Sequence, residues 1–161
     1  MSAVIEDYGH TIKHDVYYMK EIGELNVLFK TQVQEWKNTL IRGKKPEQLT
    51  KYWGRFNKQA GLIQEKYQSL LTTMPKQQPA YQYIREYADN YPAMLAAYRK
   101  GYDDFIAAGM DIKVADASVK GIDRAPTENL NEAVKAINSQ IDTKKVVMDE
   151  RASSAFSITF M

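Results

Sequence analysis

At 161 residues the chain is long enough for one domain with a substantial core and short for two. Hydrophobic residues make up 44% and charged residues 26%, and a net charge of +2 argues neither for nucleic acid nor for an acidic membrane surface as a partner. The absence of cysteine excludes disulfides, thiolate metal sites, covalently attached haem and cysteine nucleophiles.

The opening, MSAVIEDYGH, has no apolar signal core, and no window approaches the roughly 18 consecutive apolar residues of a membrane span. The chain as given therefore reads as soluble. Its apolar end, FSITFM over 156–161, fits equally a cut made beside a membrane span and an ordinary terminus.

The first segment covers residues 4–42. Ile5, Tyr8, Ile12, Met19, Ile22, Phe29, Val33, Trp36 and Leu40 recur at the mixed three and four spacing of a bundle helix. Asp15 and Asn26 interrupt that seam, and Gly43 with Pro46 marks a stop and restart. The second segment, 46–74, carries Leu49, Trp53, Phe56, Ala60, Ile63, Tyr67, Leu70 and Met74. The third, 79–108, carries Tyr81, Ile84, Ala88, Tyr91, Leu95, Tyr98, Tyr102 and Phe105, with Pro92 expected to kink it. The fourth, 111–156, carries Leu130, Val134, Ile137, Ile141 and Met148, with Lys144 and Arg151 on the seam. Gly121 and Pro126 disturb its start. A single kinked helix is expected there in preference to a short helix followed by a long one.

Strand-period runs, linkers and repeats are all missing, so the fold is read as all-α: an up-down-up-down antiparallel four-helix bundle with longer first and last helices. The outer segments, about 60 to 68 Å long at 1.5 Å per residue, overshoot the inner pair of about 42 to 45 Å. The overshoot lies where the chain begins and ends, leaving a two-helix stalk with a polar seam at Asp15, Lys144 and Arg151.

Chemistry concentrates at the other end. In FKTQVQEWKNTLIRG, residues 29–43, Lys30 and Lys37 stand two turns apart on one helical edge, and Arg42 precedes the Gly43 stop. A basic rim of this kind suits a small anionic ligand, and lysines beside a seam are equally the common solvated edge. Trp36 and Trp53 are expected to be core, and Tyr98 and Tyr102 to lie near the distal end. His10 and His14, four apart but off the seam and without an HExxH or paired ExxH pattern, read as solvated histidines. The chain has no Gly-rich phosphate loop and no nucleophile elbow, so no enzymatic activity and no cofactor are expected.

The layout resembles the four-helix-bundle sensor domain of bacterial methyl-accepting chemotaxis proteins. Two stretches carry the likeness: residues 29–43 followed by Lys51-Tyr52-Trp53, and VKGIDRAPTE at 119–128. The resemblance implies a periplasmic domain of an inner-membrane protein, flanked by two membrane helices. It implies a homodimer through helices 1 and 4, with a small carboxylate, an amino acid or organic acid, bound near the distal dimer interface. Ligand binding would displace the last helix along its axis. Pro126-Thr127 is similar to a pair that offers oxygens to a ligand amine in the family's amino-acid sensors. Those sensors hold carboxylates with arginines of the first helix, whereas this chain offers Lys30, Lys37 and Arg42 at other spacings.

With segments one and four antiparallel and registered from the Gly43 end, Arg124 falls near the level of Lys30, and Thr127 about one turn below. The expected ligand-binding residues are thus Lys30, Lys37, Arg42, Arg124 and Thr127. Two rival readings stay open at this point: a haem or di-iron bundle, and a helical adaptor that binds a partner helix.

Overall fold

The computed structural model describes residues 2–160, with side chains described for residues 9–154. It is all-α and has five helices: α1 (Ser2–Arg42), α2 (Pro46–Thr73), α3 (Tyr81–Ala107), α4 (Ile112–Val119) and α5 (Arg124–Phe160). At 41 and 37 residues, α1 and α5 outrun α2 and α3, at 28 and 27. The long helices pack antiparallel, α1 against α2 and α5, and α3 against α5 and α2, while α4 lies on α3.

The helix ends follow local chemistry. A Cβ at Gly43 would collide with the Thr39 carbonyl and press on Leu49 and Phe105, so only glycine lets α1 stop this close to the next helix. Pro46 then opens α2, where a missing N–H costs nothing. Met74 is extended, as a residue before proline must be, and ends α2. At the end of α3, Gly109 and Met110 both have positive φ, and the Met110 N–H reaches back to Phe105 O at 2.8 Å. The Asp111 side chain caps α4 by accepting from the Lys113 N–H at 2.9 Å.

The fourth segment departs from expectation: it is two helices rather than one kinked helix. Gly121 takes φ +76, a conformation no helix contains, and the chain turns through 120–123 before α5 begins at Arg124. Pro126, in the first turn of α5, needs no hydrogen-bond acceptor there and so starts a helix instead of bending one. Pro92, by contrast, lies within the unbroken span of α3.

The seams of α2 and α3 pack as their spacing demands. Phe56, Ala60, Ile63, Tyr67 and Leu70 meet Ile84, Tyr91, Leu95, Tyr98 and Phe105, all buried, with Leu130, Ile137 and Ile141 of α5. Each large apolar side chain so buried stabilises the fold by roughly 1.5–3 kcal/mol. On α1 the buried set is Tyr18, Ile22, Leu25, Phe29, Trp36 and Leu40, while Met19 and Val33 are only partly covered. The expected seam positions Ile5 and Tyr8 lie outside the residues whose side chains are described.

Four polar side chains of α1 are buried with them. Gln32 is fully enclosed; it accepts from Tyr91 Oη at 2.7 Å and donates to Phe56 O at 3.4 Å. Asp15, Glu35 and Thr39 are the other three. The aromatic rings fall into two groups. Tyr67, Tyr87 and Tyr91 lie within 6.0 Å of one another in the middle of the bundle. Nearer the tip, Trp53 stacks between Phe56 and Tyr102 at 4.8 and 3.9 Å, and Trp36 meets Tyr98 edge-on at 5.2 Å.

Candidate functional site

Positive charge is segregated along the chain. Residues 25–58 hold eight cations against two acids, in a chain whose net charge is only +2. This stretch is the distal half of α1, the α1–α2 turn and the start of α2, the end of the bundle farthest from both termini.

On α1, Lys30 and Lys37 fall on a second, outward seam. Val16, Lys20, Gly23, Val27, Lys30, Gln34, Lys37 and Ile41 recur at alternating spacings of three and four, the same period as the inward seam. Val27 is 63% and Ile41 68% exposed, high for aliphatic side chains, and Lys30 and Lys37 stand exposed between them. An open apolar depression beside Gly23 and Val27 continues this face towards Leu28 and Lys66. Lys66 reaches across from α2 and donates to Glu21 at 2.7 Å and Glu24 at 2.8 Å, so its hydrogen bonds to both carboxylates raise its pKa, while its own ammonium lowers that of Glu24.

At the turn, Ile41, Arg42, Lys44, Lys45 and Gln48 line an open cavity of about 360 Å³. Next to it the buried Tyr52 ring collects three cations, Arg42, Lys51 and Arg55, at 5.5, 5.3 and 5.4 Å from its centroid. None of Lys30, Lys37, Arg42, Lys44, Lys45, Lys51 and Arg55 forms an ion pair with a described carboxylate.

The expected site residues divide into three places. Lys30 and Lys37 share the outward seam. Arg42, five residues beyond Lys37 and so about 140° round the helix, is drawn towards α2 and Tyr52. Arg124 and Thr127 open α5, with Arg124 exposed and Thr127 partly covered. The Thr127 hydroxyl donates to Asp123 O at 2.7 Å, which leaves its lone pairs free to accept.

The α1–α5 register comes from Lys144 Nζ on Asp15 Oδ2 at 2.6 Å, at the stalk end. Carried along both helices at equal rise, it sets Arg124 about level with Glu35 and Thr127 about level with Gln32. Arg124 therefore stands nearer Lys37 than Lys30, roughly 7 Å further towards the tip than a register taken from Gly43 places it. The reason is the separate α4, which takes up chain length that a continuous helix would have spent on reaching lower.

Beneath this surface the aromatics are structural. Trp36 and Tyr98 are buried, Trp53 packs against the same cluster, and burial pushes the Tyr98 phenol well above its ordinary range. The Trp36 indole N–H and one Glu35 carboxylate oxygen have no hydrogen-bond partner among the described residues. His10 and His14 are exposed with ring centroids 4.4 Å apart, and among the described residues no group of three or more His, Asp or Glu side chains is placed to hold a metal. No described helix is long and apolar enough to cross a membrane.

The outward seam of α1 was open to sequence reading. Its signal is the heptad spacing of Val16, Val27 and Ile41, which an assignment of only one seam per helix passes over.

Over 109 residues the chain is 36% identical to the methyl-accepting chemotaxis protein CtpH of Pseudomonas aeruginosa. That match takes in 68% of this chain and 19% of the relative, so the chain corresponds to about a fifth of the relative's length. No family model matches the chain, and no solved structure does.

Proposed function

From the homology of the chain to a methyl-accepting chemotaxis protein we propose that it is the ligand-binding sensor domain of a transmembrane chemoreceptor, a receptor module and not an enzyme. In this reading it lies in the periplasm between two membrane helices of the full-length protein, and pairs with a second copy through α1 and α5. It binds a small anion, an organic acid or amino acid, at the distal end of that interface.

The observation that carries the reading is the outward seam of α1, where Lys30 and Lys37 alternate with exposed Val27 and Ile41. Aliphatic residues at heptad spacing suit a seam between two copies. Lysines on the same seam oppose that pairing, because each copy brings like charges to the other. An anion held between the copies removes the repulsion, so ligand binding and pairing support each other. Arg42 and the other cations around Tyr52 extend the positive field over the tip.

Arg124 and Thr127 give the ligand a hold on α5: the guanidinium takes a carboxylate as a fork, and the Thr127 oxygen accepts from an amine. A ligand that touches α5 as well as α1 favours one relative position of the two helices over another, and α5 displacement is then the signal.

The test is a thermal-shift screen of dicarboxylates, amino acids and inorganic oxyanions, followed by sedimentation velocity with and without the best binder. A true ligand raises Tm with the logarithm of its concentration and shifts the chain towards dimer. Lys30→Glu with Lys37→Glu removes the ligand-dependent shift while the ligand-free Tm changes little, both positions being exposed. Arg124→Ala abolishes binding in the same assay. A screen without a single binder, or undiminished affinity in the double glutamate variant, would overturn the assignment.

A further inference from the structure

Asp15 is a carboxylate on the inward face of α1, only 4% exposed. Both its oxygens are engaged. Oδ2 accepts from Lys144 Nζ of α5 at 2.6 Å, and Oδ1 accepts from Gln78 Nε2 at 2.7 Å. Gln78 is anchored in turn, because its Oε1 accepts the Ala80 N–H at 3.1 Å just ahead of α3. Close by, Tyr18 Oη donates to Thr73 O in the last turn of α2 at 2.7 Å. The knot thus ties α1 to α5 and to both ends of the α2–α3 connection. Beyond this level α2 and α3 have turned back, and α1 and α5 run on as the stalk.

We infer that the Asp15–Lys144 pair is a register lock, which holds α5 at one axial position against α1 and restricts it to displacements much smaller than a helical turn. Apolar seams attract without direction and tolerate a shifted register. A buried charge does not, because a partnerless carboxylate in this place is costly, and fixing register is the best-attested use of such pairs.

The length scales set what is allowed. A slide of 1.5 Å, one residue's rise, leaves the ammonium within reach, and a cleft of about 200 Å³ lined by Thr11, His14, Gln77 and Gln140 gives the Lys144 stem room to follow. A slide of about 5.4 Å, one turn, carries the ammonium away and strands Asp15. The lock rests on the sensor reading only for its consequence, that a signal passing along α5 is a small elastic shift; the lock itself is a property of the chain alone.

The chain has no cysteine, so a pair of spin labels can be placed cleanly on Lys13→Cys and Asn131→Cys, both exposed and separated mainly along the helix axis, so that an axial slide changes their distance almost one for one. The sample is diluted with unlabelled protein so that only distances within one copy are read, and no ligand is needed. The native background is expected to give one narrow distance distribution. Asp15→Leu with Lys144→Leu keeps the helical fold and broadens the distribution, or adds a second population shifted by about 5 Å. A native-width distribution in that folded double variant would overturn the lock.

A second pair of variants guards against loss of fold. Lys144→Arg, which keeps the cation, retains the narrow distribution, and Lys144→Gln, which keeps a donor without the charge, broadens it. Identical distributions in these two would also overturn the proposal. Either failure leaves the ligand assignment standing, since that is judged by binding.

Discussion

Val119 of α4 occupies the space that a side chain on Gly101 of α3 would need. A Cβ at Gly101 would lie 2.7 Å from Val119 Cγ1 and 3.3 Å from Trp36 Cη2. This contact seats α4 on α3 and closes the bundle over Trp36, at the level where α4 gives way to α5.

Gly101→Ala sets two effects against each other. Alanine favours a helix by about 1 kcal/mol over glycine. Overpacking costs about 1–3 kcal/mol, and here neither neighbour yields easily, since valine has a stiff χ1 and the indole is enclosed. The variant is expected to be destabilised by up to about 2 kcal/mol in urea unfolding. Gly54→Ala is the control: a Cβ there meets nothing within 4 Å, so it should stabilise by roughly 0.5–1 kcal/mol. Equal gains in both variants would show that the Gly101 contact carries no strain.

The Gln32–Tyr91 hydrogen bond makes a double-mutant cycle informative. Tyr91→Phe strands the Gln32 carbonyl oxygen, and Gln32→Leu strands the Tyr91 hydroxyl. Each single change should cost about 1–3 kcal/mol, the penalty of a buried unpaired group. The pair together should cost clearly less than the sum. Tyr87 provides the opposite case. Its hydroxyl is buried without a partner, so Tyr87→Phe is expected to leave stability unchanged or to raise it by about 1 kcal/mol.

The Lys66 bridge predicts a pH dependence. Its pKa is raised by its hydrogen bonds to Glu21 and Glu24, so its contribution is full below the ordinary lysine value of 10.5 and is lost as pH climbs through the raised value. Glu24 is lowered, so its contribution is full above the ordinary 4.5 and disappears as pH falls through the lowered value. Lys66→Met should therefore lose a modest stabilisation, about 1 kcal/mol or less for a pair this exposed, across the neutral range. The two proteins should converge at both extremes. Unfolding curves from pH 3 to 11 test this, and a constant difference across that range would detach the loss from the ion pair.

Much of the architecture was written in apolar spacing. The seams of α2 and α3 bury Phe56, Ile63, Leu70, Ile84, Leu95 and Phe105 because a period near 3.5 admits only one face to the core. The excess length of α1 and α5, and the stalk it leaves, followed from counting residues between Gly43, Pro75 and the termini. At the candidate site, the cations of α1 could be named in advance because charge is a local property, whereas Pro126-Thr127 was singled out by a resemblance and not by a helix-start signal of its own.

Tertiary structure alone decided the rest. Gly121 and Pro126 permit either a kink or a break, and both local rules are satisfied by each; the fit of Val119 on Gly101 belongs to the break that was found. Gln32 looks like a surface residue, and Asp15 only like a break in the apolar seam, until Tyr91, Lys144 and Gln78 arrive from 59, 129 and 63 residues away to satisfy them. By itself the sequence determined the helices, their apolar faces and where positive charge gathers, because these depend on neighbours a turn or two away. Where α5 stands against α1, and which polar groups the core admits, depend on partners that only the folded chain brings within reach.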